Sequence, residues 1–476
     1  MSGAPSEYAI IAPMRALLIA TSGSPALARL APALATIAAQ GVAIEAPSSL
    51  RDELQREGVS CIAHDEAALE AATRSLTAAD LLIAPLGAGS LATPSALAAV
   101  VRHLGGGGEA PTILVDPASA GDLIGAISLG RGAIAASTRS AYLRGAAFAV
   151  AAELAALLRS GERFPERDML LLERVRSFAH GENPHQAAAA YRLISGGGDG
   201  LLGARVVQGG EPTLNDLLDL DAGVRLVADL PTPSVALLRH TDPIGVASAE
   251  TPLGAFRRAL ECDRVATSGA AVAINAPIDR AVAVELAAGS YESVVAPSIA
   301  DESAAAALAA RSDLRVVLHS AASDDSLDIA SLSGAIVMQE RDRGAIERSE
   351  LRVVTERRPT LDELTDLLFS WRVVRHVRSN AIVVSRGVAT LGIGAAQANR
   401  RVAVDIALAG AGERARGAVL ASDAYFPFAE GLAAAAAAGI TAVVQPGGSR
   451  RDQAAIEIAD RNGMAMVFTG RRHYRR

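Results

Sequence analysis

The sequence predicts an α/β protein of several domains. From Arg15 onward, short apolar runs of strand length alternate with helical stretches. That alternation is the pattern of parallel sheets covered on both faces. Half of the 476 residues are hydrophobic but only 3% are aromatic, so the core must be assembled mainly from Ala, Leu, Val and Ile. A chain of this length suggests roughly two to four units, and it is long enough to bury a large core.

In order, residues 1–14 read as a loose tail. Ala16–Ala20 is an apolar strand, Thr21–Pro25 a turn and Ala26–Gln40 a helix by composition. Val42–Ala46 is a short strand and Ser49–Glu57 a charged helix. Leu81–Pro85 and Thr112–Val115 are further strands. The Ala-rich run Ala141–Leu158 is a helix that closes a first domain over residues 15–165. Arg159–Arg167 is the linker. Gly87-Ala-Gly-Ser-Leu-Ala92 follows a strand but has no acidic partner about twenty residues on, so it reads as an ordinary turn and not a dinucleotide loop. Beyond residue 172, strands are expected at Val206–Gln208, Val235–Leu238, Ala271–Ile274, Ser293–Ala296, Val316–Leu318, Ile382–Val384, Val419–Ala421, Ala442–Gln445 and Met464–Phe468. The best-marked helix begins at Thr360, a capping residue whose box is completed by Glu363. Its Leu361, Leu364, Leu367, Leu368 and Trp371 form one apolar stripe that reads as core.

Charge and composition exclude several classes. The net charge of −7 argues against a nucleic-acid or anionic-membrane surface. All 45 Lys+Arg residues are arginine. No ε-amine is therefore available as general acid, general base or Schiff-base nucleophile. Cys61 and Cys262 suggest neither a disulfide framework nor a metal cluster. The N-terminal residues lack the basic-then-apolar order of a signal peptide, so a cytoplasmic protein is expected.

The stretch that draws most chemistry is Ala236-Leu-Leu-Arg-His-Thr-Asp-Pro-Ile-Gly-Val-Ala247. It reads as a buried strand delivering Arg239 and His240 to a turn, Asp242-Pro243-Ile244-Gly245. Strand ends that feed turns are where α/β proteins usually carry their chemistry. Taken alone, the pattern fits a hydrogen-bonded histidine at a structural junction better than a catalytic one.

Three further stretches accompany it. They are Phe178-Ala-His-Gly-Glu-Asn-Pro-His-Gln186; Arg378-Ser-Asn-Ala-Ile382 with Gly392-Ile-Gly-Ala-Ala-Gln-Ala-Asn-Arg400; and Ala421-Ser-Asp-Ala-Tyr-Phe-Pro-Phe428 with Gln445-Pro-Gly-Gly-Ser-Arg-Arg-Asp452. In this order and spacing, residues 172–476 resemble the formyltransferase part of the bifunctional AICAR formyltransferase/IMP cyclohydrolase family. The resemblance implies a Rossmann-like, methylglyoxal-synthase-like first domain. Two cytidine-deaminase-like lobes follow, at 172–340 and 341–476. It implies 10-formyltetrahydrofolate as co-substrate, no metal for the chemistry, and a homodimer acting on small molecules without nucleic acid or membrane.

The same resemblance assigns roles. His240, with an ordinary pKa near working pH, is the expected base. Arg239 stands where the family has lysine, so it stabilises charge but cannot exchange a proton. Asn380 is expected at the reacting centre, holding His240 or the formyl oxygen. Arg400 is expected as a substrate or folate contact, with a dimer interface as one setting. Asp423, Tyr425, Phe426 and Pro427 form an aromatic loop suited to stacking flat rings. Gln445–Ser449 can aim backbone amides at an anion. Gly181, Asn183, His185 and Gly269 are expected substrate or folate contacts, and Arg472 matches a phosphate-binding arginine. Arg471, Arg475 and Arg476 read equally as a solvated tail.

Departures are uneven. Ala179 and His180 replace the family's Arg-Tyr, Ser268 a phenylalanine, and Asp242 an asparagine. A charge on Asp242 would raise the His240 pKa if close. The first domain departs more: Thr21–Pro25 replaces a Ser-Asp-Lys-Thr-Gly phosphate loop and Ala46-Pro-Ser-Ser-Leu50 replaces Ser-Thr-Gly-Gly-Thr. The expectation is a formyltransferase without cyclohydrolase activity. The alternatives are a changed acceptor amine or a non-catalytic nucleotide- or folate-binding relative.

Overall fold

The structure is a computed structural model describing residues 15–20, 24–77, 79–85, 94–104, 110–129, 134–159, 162–194, 200–319, 327–344, 346–428 and 430–476. The tail, most of the Thr21–Pro25 turn and the Gly87–Ala92 turn lie outside these residues. The chain forms two compact units, Met1–Glu173 with Leu193–Ser195, and Arg174–Arg192 with Gly196–Arg476.

The first unit holds one parallel sheet, in the order Ile62–His64, Ala43–Pro47, Arg15–Leu18, Leu81–Ile83, Thr112–Leu114. Its strands read as unbroken apolar runs because both faces are covered. Ala16 and Leu18 pack one way, against Leu27, Leu30, Leu34 and Ile37 of the helix Pro25–Ala39. Leu17 and Ile19 pack the other way, with Val100, Ala146 and Val150. The long helix spans Ala136–Leu158, five residues longer at its N-terminus than expected. It is long and apolar enough to cross a membrane by length and composition alone, but its Ala146 and Val150 are spent on the sheet. The charged helix is shorter than expected, Arg51–Arg56, after a 3-10 turn Ser48–Leu50.

The second unit contains two six-stranded sheets built to one plan. The first runs Asp242–Ser248, Ser234–Arg239, Ala271–Ile274, Ser293–Ala296, Arg315–Leu318, Arg205–Gln208. The second runs Thr390–Gly394, Ile382–Ser385, Val419–Ser422, Ala442–Gln445, Ala465–Phe468, Arg352–Val353. In each, an antiparallel hairpin leads, three parallel strands follow, and an antiparallel strand closes the far edge. Each hairpin is preceded by a helix with the same start: Thr213 caps Leu214–Ala228 with Asp216, and Thr360 caps Leu361–Val374 with Glu363. Trp371 and Leu367 of the latter are fully buried, whereas Leu361, in its first turn, stays exposed.

The two sheets meet at their hairpin edges. Val246 donates its amide to the Thr390 hydroxyl at 2.9 Å, and that hydroxyl donates to the Val246 carbonyl at 3.2 Å. Ala247 and Ala389 form a single bridge between the strands. The loop that makes this edge, Gly387–Val388, gives both amides to the buried Asp366 carboxylate, at 2.8 and 2.6 Å. Both sheets also share one apolar core, in which Leu238 and Val246 pack in the same cluster as Trp371, Val383 and Val467.

Candidate active site

The strand Ser234–Arg239 emerges from the core as a fully buried run, and Arg239 is the first exposed side chain. The expected turn at Asp242–Gly245 is not a turn. The chain reverses two residues earlier, at His240 and Thr241, whose φ angles are +53° and +66°. Asp242–Ser248 is already the return strand, with a bulge between Pro243 and Gly245. Pro and Gly here accommodate a bulge in an edge strand, their other common use. A two-residue hairpin wants positive φ at both positions, usually Asn-Gly or a similar pair. His-Thr costs about 1–3 kcal/mol per residue in that region and persists only where surroundings hold it.

The surroundings do hold it. The Thr241 amide donates to Asp219 Oδ1 at 2.5 Å. Burial pushes the Asp219 carboxyl up, against the Thr241 and His240 amides that pull it down. Arg475 donates to the Thr241 carbonyl at 3.1 Å. Arg239 is held outward, its Nη1 donating to the Ser268 carbonyl at 2.8 Å. Gly269 sits beside it with φ +76°, where an added Cβ would stand 3.7 Å from Arg239 Nη2.

Asp242 does not point its charge at His240. Its carboxylate accepts the Arg378 amide at 2.9 Å and pairs with Arg378 Nε at 2.6 Å. The carboxylate that meets this turn is Asp219, through the Thr241 amide.

Arg378 begins the loop that carries Asn380. Asn380 donates its side-chain amide to the Gln397 carbonyl at 2.7 Å and accepts from Arg400 Nη2 at 2.7 Å. It braces the loop, and its amide hydrogens do not reach His240. Arg400 is 5% exposed, so it is not a surface residue. It pairs with Asp423 Oδ1 and donates to Ser422 Oγ at 2.6 Å. Asp423 is fully buried, and its Oδ2 accepts from Ser379 Oγ at 2.5 Å. A buried ion pair of this kind is tolerable because every partner is hydrogen-bonded.

Beyond Arg400 opens a cleft of about 400 Å³ lined by Asn399, Arg401, Phe426, Pro427, Phe428 and Gly431. Phe426 is buried and its amide donates to Gln445 Oε1 at 3.1 Å, which sets the loop's path. Tyr425 and Phe428 remain exposed, Phe428 under the Arg451 guanidinium at 4.7 Å. The expected anion cradle after Gln445 is already taken. The Gly448 and Ser449 amides donate to Asp452, at 2.7 and 3.1 Å.

The AICARFT/IMPCHase bienzyme family model matches residues 109–410. The chain belongs to this family. Among its relatives, a bifunctional purine biosynthesis protein PurH from Cyanothece is 44% identical over 312 residues, covering 65% of this chain and 60% of that protein. A PurH from Rhodospirillum rubrum is 40% identical over 399 residues, covering 79% of this chain and 75% of its own. One from Paracoccus denitrificans is 42% identical over 353 residues, or 70% of this chain and 66% of its own. The match with the Cyanothece protein thus spans under two thirds of that relative's length.

Set against the family resemblance, the structure gathers some expected residues and separates others. Arg239, His240 and Gly269 share one sheet end. Asn380, Arg400, Asp423 and the aromatic loop share the other lobe's end, joined to the first through Asp242–Arg378. Gly181, Asn183 and His185 sit in a loop that closes on itself. Gly181 donates to Gln186 O at 2.7 Å, Asn183 donates to Gln186 Oε1 at 2.9 Å, and Asn183 and His185 are exposed. Arg472 is exposed and stacks on Tyr474 at 4.7 Å. Arg475 is no solvated residue: it reaches the Thr241 and His376 carbonyls, and its amide donates to Ser379 Oγ at 3.1 Å. His473 is buried beside Trp371 and bonds Asp342 at 2.5 Å. Nothing in the basic tail distinguished these two, and Asp219 was one acid among several on its helix. Among the described residues, no group of three or more His, Cys, Asp or Glu could hold a metal ion.

Proposed function

We propose that the second unit transfers a formyl group from 10-formyltetrahydrofolate to the amine of AICAR. The observation that carries this reading is the exposed His240 at a held hairpin tip, tied through Asp242–Arg378 to the Asn380–Arg400–Asp423 cluster and its aromatic cleft. The acceptor's lone pair is delocalised into its ring, so attack is slow without a base and an oxyanion partner. His240 takes the amine proton as nitrogen attacks the formyl carbon. Arg239 stabilises the oxyanion that forms. The intermediate then collapses, the bond to the folate nitrogen breaks, and that nitrogen leaves with a proton, which the imidazolium can return. The chain contains no lysine to do so. Phe426, Pro427 and Phe428 offer apolar faces of the kind flat pterin rings stack on.

We further infer that the first unit has lost ring closure. Where the family has a hydroxyl-rich phosphate turn, Leu50 is buried in the core and Ser48 and Ser49 form a 3-10 turn without a side-chain cap. A cytoplasmic homodimer completes the reading, which sedimentation of the purified protein tests. A second reading, a changed acceptor amine, is favoured by His180. It stands where the family has tyrosine and turns its Nδ1 onto the neighbouring Gly181 carbonyl at 2.8 Å.

Purified protein with AICAR and 10-formyltetrahydrofolate should release tetrahydrofolate, followed by absorbance. No turnover with AICAR ends the first reading. A melting midpoint raised by a folate but not by AICAR would then favour the changed acceptor, and no shift with either a non-catalytic relative. Turnover of formyl-AICAR to the closed ring would defeat the lost-cyclohydrolase proposal.

A further inference from the structure

We propose that Asp219 and Arg475 are positioning residues that clamp the His240–Thr241 turn from opposite sides, so that the C-terminal tail governs where the reactive imidazole stands. The proposal deepens the formyl-transfer reading and rests on it for its kinetic half only.

Three observations converge. His240 and Thr241 both hold positive φ, a backbone state disfavoured for an imidazole and doubly so for a β-branched side chain. Left to itself, this turn would relax, and the ring would swing with it. The Thr241 peptide is, however, engaged at both ends. Its amide donates to Asp219 Oδ1 at 2.5 Å, from the helix Leu214–Ala228. Its carbonyl accepts from Arg475 Nη1 at 3.1 Å, from the last residues of the chain. Among the described residues, no side chain hydrogen-bonds the His240 ring, so its position depends on the backbone beneath it.

The Arg475 arm is itself anchored. Ser379 donates its amide to the Arg475 carbonyl at 2.8 Å, and its hydroxyl accepts the Arg475 amide at 3.1 Å. That hydroxyl also bonds Asp423 at 2.5 Å. Through Ser379, Arg475 thus links the buried Asp423–Arg400 pair in the second lobe to the exposed turn in the first. An arginine suits the task, because its guanidinium has several donors and stays protonated. It uses them on two backbone carbonyls, Thr241 and His376. His376 itself pairs with Asp229, so that second carbonyl belongs to a fixed segment. The expected base is therefore set by a residue 235 positions further along the chain than itself, as the numbers 240 and 475 show.

The test uses the full-length protein with Arg475→Ala and Asp219→Ala, and Arg476→Ala as a control. The His240 ring resonance is assigned by its loss in His240→Asn. In both clamp variants this resonance should shift or broaden, while in Arg476→Ala it should not move. Formyl transfer should fall about 10- to 100-fold in kcat, with both KM values within about twofold, because positioning and not binding is lost. Added guanidinium should restore part of the rate to Arg475→Ala alone. A His240 resonance superimposable on wild type in folded Asp219→Ala and Arg475→Ala overturns the clamp. Should Arg475→Ala fail to fold, Asp219→Ala decides the matter alone. Should wild type show no formyl transfer, the catalytic reading fails while the resonance still decides the clamp.

Discussion

The two ends of the candidate site are built in opposite ways. At the first lobe, His240 and Arg239 stand exposed at a backbone turn, with the peptide beneath them tied to Asp219 and the Arg239 guanidinium resting on the Ser268 carbonyl. At the second lobe, Asn380, Arg400 and Asp423 are packed into a cluster whose polar atoms bond one another. Both lobes share one sheet plan, but the tip follows the strand Ser234–Arg239 whereas the cluster precedes the corresponding strand Ile382–Ser385. A group that must exchange a proton has to meet solvent or substrate. A group that must hold a shape does better dry, where each hydrogen bond is stronger and each broken one more costly.

If the tip holds the chemistry and the cluster holds the fold, substitutions should separate the two. The largest effect is expected for His240→Ala, which should cut formyl transfer by about 10²- to 10⁴-fold with an unchanged melting curve. A variant retaining full activity would remove His240 as the base. Next comes Arg400→Met, which strands the buried Asp423 carboxylate. Denaturant unfolding should show a loss of about 3–5 kcal/mol. A loss confined to activity would mean that Arg400 is a ligand contact and not a brace.

A smaller effect concerns the helix leading to Arg378 and Asn380. Burial pushes the Glu363 carboxyl up, but hydrogen bonds from Arg357, Thr441 and the Thr360 amide, with the Arg357 charge, outweigh it. They bring it from 4.5 to about 2. A depressed carboxylate contributes stability that is full above the unfolded pKa and lost as pH falls through the folded one. Unfolding measured between pH 5 and pH 2 should therefore show about 1–2 kcal/mol, after allowance for screening, that Glu363→Gln lacks. Identical pH slopes for the two proteins would discard the assignment. The smallest effect is Gly269→Ala, at φ +76° with Glu292 Oε1 3.4 Å from the new Cβ. It should cost about 1 kcal/mol in backbone strain and leave formyl transfer nearly intact, since the Arg239 contact is an ordinary one. A large activity loss would place Gly269 nearer the chemistry than its geometry implies.

Much of the fold was legible in the sequence. Strands such as Ala271–Ile274, Ser293–Ala296 and Ala442–Gln445 fall where their apolar runs lie. The Thr360 capping box formed as its residues require. The turn at His240 was misplaced because Pro243 and Gly245 are strong local turn residues, yet here they serve a bulge. The duplicated sheet order left no trace in periodicity, since strand pairing joins residues far apart.

The sequence alone determined the α/β class, the apolar strands, and the residue types present for catalysis: an imidazole, guanidinium groups and no lysine. Those follow from local propensity and composition, which act within a few residues. Only the tertiary structure decided that Arg400 is buried, that Asp242 answers to Arg378 rather than His240, and that Arg475 holds the turn. Each of these depends on which partner a charged group meets once the chain has folded, and the meetings join positions 23 to 234 residues apart.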